Sequence, residues 1–200
     1  MKKRFKPREL TLLGLLTALL LLMSYTPLGY LNIGPLAITF NMIPVAIAAA
    51  ALGPWGGAFA GAVFGITSFL QCLGIGGTSP MGVILFDINP VLAFVQRFVP
   101  RLLAGLLTGF IYKGTAKLNR TFAGFAAGFS AAFLNTALFM LALVILFGST
   151  DYLQGLMAGK NVLLFIITFV GINAFVEMLA STAVTGALCK ALDKTGFLRR

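Results

Sequence analysis

Three ionisable side chains interrupt long apolar stretches of the sequence: Arg97, Arg101 and Glu177. A charged group inside a membrane is costly unless it is paired or hydrated, so such groups usually mark function. At about 1.5 Å of rise per residue, counting from the outer ends of their helices puts Arg101 roughly 16 Å deep and Glu177 roughly 24 Å deep. Because Arg101 is the closer match in depth, we predict a structural ion pair between Arg101 and Glu177.

Arg97 is then left without an assigned carboxylate, at a depth of roughly 11 Å by the same count. Asp87, in the preceding loop, or backbone carbonyl groups could satisfy its charge. Alternatively, the planar guanidinium could hold the carboxylate of a bound solute through two parallel hydrogen bonds. The sequence leaves both interpretations open.

Uncharged polar side chains are predicted at the same level of the membrane. Asn89 and Gln96 lie near the Arg97 face of one helix, while Asn173 shares a face with Glu177 through i, i+4 spacing. Each amide could simply bridge two helices, but together they favour a polar pocket for a small molecule. The predicted substrate-binding residues are Arg97, Asn89, Gln96, Asn135, Asn173, Asn41 and Gln71.

The residue types that most enzymes and metal sites require are scarce. The chain has no histidine, which is the commonest metal ligand and the usual general base near neutral pH. Neither an H-E-x-x-H motif nor a G-x-x-x-x-G-K-[ST] phosphate loop occurs. Asp87, Asp151 and Asp193 all lie outside the predicted membrane interior, which excludes a paired-aspartate protease. We therefore predict no catalytic residue, no metal site and no cofactor, and any ATP dependence must come from partners.

The elements that position these residues are apolar helices. Of 200 residues, 59% are hydrophobic and 10% are charged, whereas a soluble domain carries about 25% charged residues. The surrounding solvent must therefore be a lipid bilayer, and one span needs ~20 mostly apolar residues. We predict an all-α membrane protein with a single membrane domain over residues 1–200, built as a bundle of six transmembrane helices. These cover approximately residues 10–25, 40–52, 58–73, 90–112, 122–147 and 161–192.

The basic residues predict the orientation of this bundle in the plasma membrane. They precede the first predicted helix, separate the fourth from the fifth, and follow the sixth. Six spans place these clusters on one side, which the excess of Lys and Arg in cytoplasmic loops identifies as the cytoplasm, so both termini are predicted to be cytoplasmic. Since the cations flank apolar segments, the net charge of +10 does not predict a nucleic-acid partner. The basic residues that form these clusters are Lys2, Lys3, Arg4, Lys6, Arg8, Lys113, Lys117, Arg120, Lys190, Lys194, Arg199 and Arg200.

Small residues recur at every fourth position in several of the predicted helices. This spacing lets helix backbones approach closely. For Gly57, Gly61 and Gly65 in the third predicted helix it favours packing inside the bundle. In the first predicted helix, Gly14 and Ala18 are candidates for docking a partner helix.

Seven segments, in order along nearly the whole chain, resemble the substrate-binding S component of energy-coupling factor (ECF) transporters. They read TLLGLLTA (11–18), PLGYLNIGP (27–35), ITFNMIPV (38–45), LGPWGG (52–57), FGITS (64–68), VPR (99–101) and NAFVE (173–177). Residues 27–68 look most like the pantothenate-type members. The resemblance implies a six-helix bundle that captures a vitamin at its outer side, under the first loop. It also implies docking through Gly14 and Ala18 onto a transmembrane coupling subunit, with two cytoplasmic ATPase subunits driving uptake.

The alternative is a self-sufficient secondary transporter of a small anionic solute. Coupling to protons or sodium normally needs acidic relays or broken helices near the middle of the membrane. Glu177 is the single acidic residue predicted inside the membrane, so the sequence offers little for such coupling. The two functions differ in whether uptake requires co-expressed ATPase subunits.

Overall fold

The computed structural model describes residues 7–32, 37–196 and 198, and these residues form a helical membrane protein with one small β-hairpin. The apolar composition explains why helices dominate, since a helix satisfies its own backbone hydrogen bonds in lipid. The helices are α1 (Pro7–Tyr25), α2 (Met42–Leu52), α3 (Pro54–Leu70), α4 (Pro80–Ile88), α5 (Pro90–Thr115), α6 (Arg120–Phe147), α7 (Asp151–Met157) and α8 (Val162–Lys194). The hairpin strands are β1 (Tyr30–Asn32) and β2 (Ala37–Thr39).

Each of the six predicted helices has a counterpart whose ends differ from the prediction by a few residues: α1, α2, α3, α5, α6 and α8. Five of them are long and apolar enough to cross a membrane, and α2 is the exception. With 11 residues, α2 is only about 16 Å long at ~1.5 Å per residue. That is about half of a ~30 Å hydrocarbon core. Nearly every residue of α2 is buried, so the other helices enclose it.

The loops contain more regular structure than the sequence predicts. The first loop, which connects the first two predicted helices, forms an antiparallel hairpin in which Tyr30 pairs with Thr39. The second contains α4, whose first turn is capped by the Ser79 hydroxyl accepting from the Gly82 N–H. The third contains α7. The connection that the predicted helices 40–52 and 58–73 leave between them is also shorter, because Gly53 turns the chain with φ 79° and α3 begins at Pro54. Proline is well suited to a first helical turn.

One end of the bundle, which we call the basic end, gathers the described Lys and Arg residues that flank the helices, except Lys160, which precedes α8 at the opposite end. There Arg120, at the start of α6, forms a salt bridge of 3.2 Å with Asp193 near the end of α8. A buried cluster at the same end joins Leu52 of α2 to Tyr112 of α5 and Cys189 of α8. The hairpin lies at the opposite end. Lys2, Lys3, Arg4, Lys6, Arg199 and Arg200, which also carried the orientation prediction, lie outside the described residues.

The most extensive helix contacts join α3 to α5, α6 to α8 and α5 to α6. The glycines of α3 allow its backbone to touch that of α5. A Cβ at Gly57 would overlap the carbonyl of Gly105, and one at Gly61 would overlap the carbonyl of Arg101. The prediction that these glycines serve internal packing is confirmed. The position of Arg101 therefore depends on a direct backbone contact with α3.

Candidate functional site

The helices and the hairpin surround a partly open cavity of about 110 Å³. On the same measure one water needs ~10–15 Å³, so the space suits a small organic molecule. The cavity is bounded by β1, β2, α3, α5, α6 and α8 together with the segments that flank α4. Its lining residues are Tyr30, Thr39, Phe64, Ser68, Gln71, Ser79, Arg97, Arg101, Asn135, Thr136, Phe139, Met140, Val170, Asn173, Ala174 and Glu177.

Two arginines on successive turns of α5 face this cavity. Arg97 and Arg101 are only 6% and 5% exposed. Arg97 donates from Nη1 to the Ser68 hydroxyl at 3.4 Å and from Nη2 to the Ser79 hydroxyl at 3.1 Å. Its guanidinium also lies 5.3 Å from the centre of the Phe139 ring. These neutral contacts hold the side chain in place without balancing its charge.

Glu177 of α8 lies in the same cavity and is 6% exposed. Its Oε1 accepts a hydrogen bond of 2.6 Å from the backbone N–H of Thr39 in β2. This bond links the covering hairpin directly to a membrane-spanning helix. The contact joins residues 138 positions apart in sequence, so no local pattern announces it.

The predicted ion pair between Arg101 and Glu177 is not formed, although both side chains line one cavity and both are described. Arg101 instead donates from Nη1 to the Arg97 carbonyl oxygen at 2.7 Å. Its guanidinium lies 4.7 Å from the centre of the Phe64 ring and 5.0 Å from that of Phe139, which is within cation–π range. The aromatic contacts and the carbonyl group occupy Arg101, while the hairpin backbone occupies Glu177.

The cavity consequently holds two guanidinium groups and at most one carboxylate. Asp87, the sequence-based alternative partner of Arg97, is exposed on α4, and no salt bridge joins these two described residues. A buried cation without an opposite charge is strongly unfavourable. The arrangement therefore favours a bound anion that would supply the missing charge.

The hairpin and the end of α3 close the cavity on one side. The Tyr30 hydroxyl donates to Gln71 Oε1 at 3.2 Å, and Gln71 Nε2 donates to the Ser24 carbonyl oxygen at 2.8 Å. These bonds tie β1 to both α1 and the turn that follows α3.

The structure brings some of the predicted site residues together and separates others. Gln71, Asn135 and Asn173 line the cavity with Arg97. Asn89 lies outside it, because its side chain caps α5 by accepting from the backbone N–H groups of Val91 and Leu92. Asn41 and Gln96 are fully buried but do not line the cavity.

Sequence reasoning missed several lining residues, including Ser68, Ser79, Thr136 and Phe139. Hydroxyl and aromatic side chains are common in membrane helices, so residue type alone gave no signal. Helical spacing could have identified part of the set. Phe139 lies one turn beyond the predicted Asn135 on α6, and Ser68 lies three residues before the predicted Gln71.

The candidate docking residues lie on a different surface. Gly14 and Ala18 are exposed on α1, and a Cβ at Gly14 would meet nothing within 4 Å. Among the described residues of α1, only Leu16, Leu20 and Ser24 are buried. The face of α1 that carries Gly14 and Ala18 is therefore free of contacts within the described part of the chain.

Comparison with known proteins gives one family match and two curated relatives. Residues 8–188 match the model of the ECF transporter substrate-specific component. The pantothenic acid transporter PanT of Lactococcus lactis subsp. cremoris is 29% identical over 96% of this chain and 100% of the relative. The pantothenate transporter PanT of Leuconostoc mesenteroides subsp. mesenteroides is 31% identical over 89% of this chain and 85% of the relative.

Proposed function

The chain belongs to the substrate-specific components of ECF transporters, and we propose that it captures pantothenate for ATP-driven uptake by partner subunits. The names of its two relatives support this substrate. The structural observation that carries the proposal is the pair of buried arginines, Arg97 and Arg101, in a cavity with at most one carboxylate. A solute with a single carboxylate would restore the charge balance.

Pantothenate also matches the distribution of polar groups in the cavity. The molecule has a carboxylate at one end, an amide in the middle, and two hydroxyl groups beside a dimethyl carbon at the other end. Arg97 with Ser68 and Ser79 offers donors for the carboxylate. Asn135 and Asn173 offer amide groups, and Phe139 offers apolar surface for the methyl groups. Solute-binding pockets usually combine such apolar walls with a few placed polar groups.

The proposed topology has six crossings in the plasma membrane with both termini in the cytoplasm. Helix α2 supplies the short crossing, and the hairpin that precedes it fills the remaining depth on the outer side. Lys113, Lys117, Lys190 and Lys194 would then lie on the cytoplasmic side, in keeping with the excess of basic residues in cytoplasmic loops. The cavity, beneath the hairpin, would open towards the outside.

The proposed partners are a transmembrane coupling subunit and two cytoplasmic ATPase subunits. This chain has no phosphate-binding loop of its own and is proposed to perform no catalysis. The exposed face of α1 around Gly14 and Ala18 is the proposed docking surface, because small residues let a partner helix approach closely.

A bulky side chain on this face should separate binding from transport. We expect Ala18→Trp to abolish vitamin uptake by cells that express the partner subunits, while the purified variant binds pantothenate with unchanged affinity. Gly171→Leu is the matched control, since a Cβ at Gly171 on α8 also meets nothing within 4 Å. Normal uptake by Ala18→Trp would contradict docking through this face.

The proposed substrate is tested by equilibrium titration of the purified, detergent-solubilised protein against a panel of B vitamins. We expect selective binding of pantothenate without any partner or ion, and weak binding of panthenol, in which a hydroxymethyl group replaces the carboxylate. Uptake in cells should require co-expressed ATPase subunits. Binding that needs sodium, or uptake without ATPase subunits, would instead favour a secondary transporter of a small anionic solute.

A further inference from the structure

Glu177 is the buried acidic group of the cavity that the proposed function leaves without a role. It is 6% exposed, and no salt bridge joins it to Arg97 or Arg101, both of which line the same cavity. A carboxylate offers about four acceptor sites on its two oxygens. The Thr39 N–H uses Oε1, which leaves acceptor capacity for groups inside the cavity.

The surroundings of Glu177 differ from those of Arg97. Arg97 is held by Ser68 and Ser79, at the side formed by α3 and the start of α4. Glu177 lies beside Thr39 of the hairpin, Thr136 of α6 and Asn173 of α8. Arg101, one turn from Arg97 on α5, contacts the rings of Phe64 and Phe139. Arg97 and Glu177 are therefore held by different parts of the cavity wall: Arg97 by α3 and the start of α4, and Glu177 by the hairpin.

This separation gives the cavity a cationic side at Arg97 and an acidic side at Glu177. A donor-rich, cationic side at Arg97 suits the carboxylate of a solute. An acceptor at Glu177 repels a second carboxylate and instead requires a hydrogen-bond donor. A solute that satisfies both sides has one anionic end and, several bonds away, one or more hydroxyl or N–H groups.

From this geometry we infer that Glu177 is a specificity-determining residue that accepts a hydrogen bond from a hydroxyl group at the end of the solute remote from its carboxylate. The inference rests on the proposed function, and it orients pantothenate with its carboxylate at α5 and its hydroxyl groups at α8 and β2. Glu177 would thus serve both the ligand and the hairpin, using one oxygen for each.

The test measures binding of two ligands by the full-length protein. The ligands are pantothenate and its analogue in which hydrogen replaces both hydroxyl groups. The variants are Glu177→Gln, which keeps an oxygen for the Thr39 N–H, and Glu177→Asp, which keeps the charge but shortens the side chain. Asp87→Asn is the matched control, because it neutralises an exposed carboxylate outside the cavity.

We expect the parent protein to bind the analogue about tenfold more weakly than pantothenate or weaker still, as for the loss of a hydrogen bond to a charged acceptor. Glu177→Gln should lose about tenfold for pantothenate and nearly nothing for the analogue, so that the two losses are not additive. Glu177→Asp should show the same pattern, and Asp87→Asn should change neither affinity.

Equal losses for both ligands in Glu177→Gln would overturn the inference and reduce Glu177 to an anchor for the hairpin. Unchanged affinity for both ligands would overturn it as well. In either case strong binding of pantothenate by the parent protein would leave the proposed function intact. Failure of the parent protein to bind pantothenate would overturn both.

Discussion

Arg97→Ala should lower the affinity for pantothenate by about 100-fold or more. The substitution removes the guanidinium that would pair with the ligand carboxylate in a site where Arg97 is 6% exposed. Truncating one partner of a buried, hydrogen-bonded charge pair costs ~2–5 kcal/mol, and each ~1.4 kcal/mol is a factor of ten in affinity. Titration calorimetry on the purified protein measures the loss directly.

A second ligand shows whether the loss comes from the carboxylate. Panthenol lacks that group, so Arg97→Ala and the parent protein should bind panthenol with similar, weak affinities. Arg97→Lys keeps the charge but loses the planar fork, and should retain part of the affinity. Equal losses for pantothenate and panthenol in Arg97→Ala would mean that Arg97 shapes the pocket without contacting the carboxylate.

Removing the charge of Arg97 should not lower the thermal stability of the unliganded protein, although it lowers the affinity for pantothenate. No salt bridge to Arg97 is found within the described residues, so its buried charge destabilises the protein when the cavity is empty. Arg97→Met, which keeps the bulk without the charge, should therefore unfold at the same temperature as the parent or higher, but should gain no stability from added pantothenate. Arg120→Gln is the control at the basic end, where loss of a partly exposed ion pair should change stability by at most ~1 kcal/mol.

Gly61→Ala should destabilise the protein by ~1–3 kcal/mol, the usual cost of overpacking a close contact. A Cβ at this position would overlap the carbonyl of Arg101, so α3 and α5 must move apart. The same movement displaces Arg101, and pantothenate affinity should fall together with the melting temperature.

Gly171→Ala provides a control with the same chemical change. A Cβ there meets nothing within 4 Å, and alanine is favoured over glycine inside a helix by about 1 kcal/mol. We therefore expect Gly171→Ala to melt at or above the parent temperature, in thermal unfolding followed by circular dichroism. A Gly61→Ala protein as stable as Gly171→Ala would show that α3 and α5 can separate at little cost.

The membrane helices could be predicted because hydropathy and the positions of glycine and proline are local properties of the sequence. The exception at Pro54 is instructive. The predicted helices 40–52 and 58–73 leave residues 53–57, with three glycines and a proline, as a connection, yet α3 begins within this run. Proline suits a first helical turn, and Gly57 is needed where α3 touches Gly105. Tertiary packing therefore places Pro54 and Gly57 inside a helix, although proline and glycine usually end helices.

The cavity was predicted in part, for a geometric reason. Counting residues along a helix gives the depth of a side chain, and depth made Arg101 the closer match for Glu177 and placed Arg97 nearer the outer side. Depth does not give the direction of a side chain or its nearest neighbour. The predicted ion pair between Arg101 and Glu177 is not formed. The Arg101 guanidinium contacts the ring of Phe64, and the Glu177 carboxyl group accepts a hydrogen bond from the backbone of Thr39.

The hydrogen bond from Thr39 to Glu177 has an evolutionary consequence. The donor is a main-chain amide, which every residue except proline supplies. The first loop can therefore exchange its side chains through evolution, or in the laboratory, without losing its attachment to α8. Substitutions in the hairpin could therefore change the substrate preference, while the Glu177 carboxyl group that binds the hairpin backbone is retained.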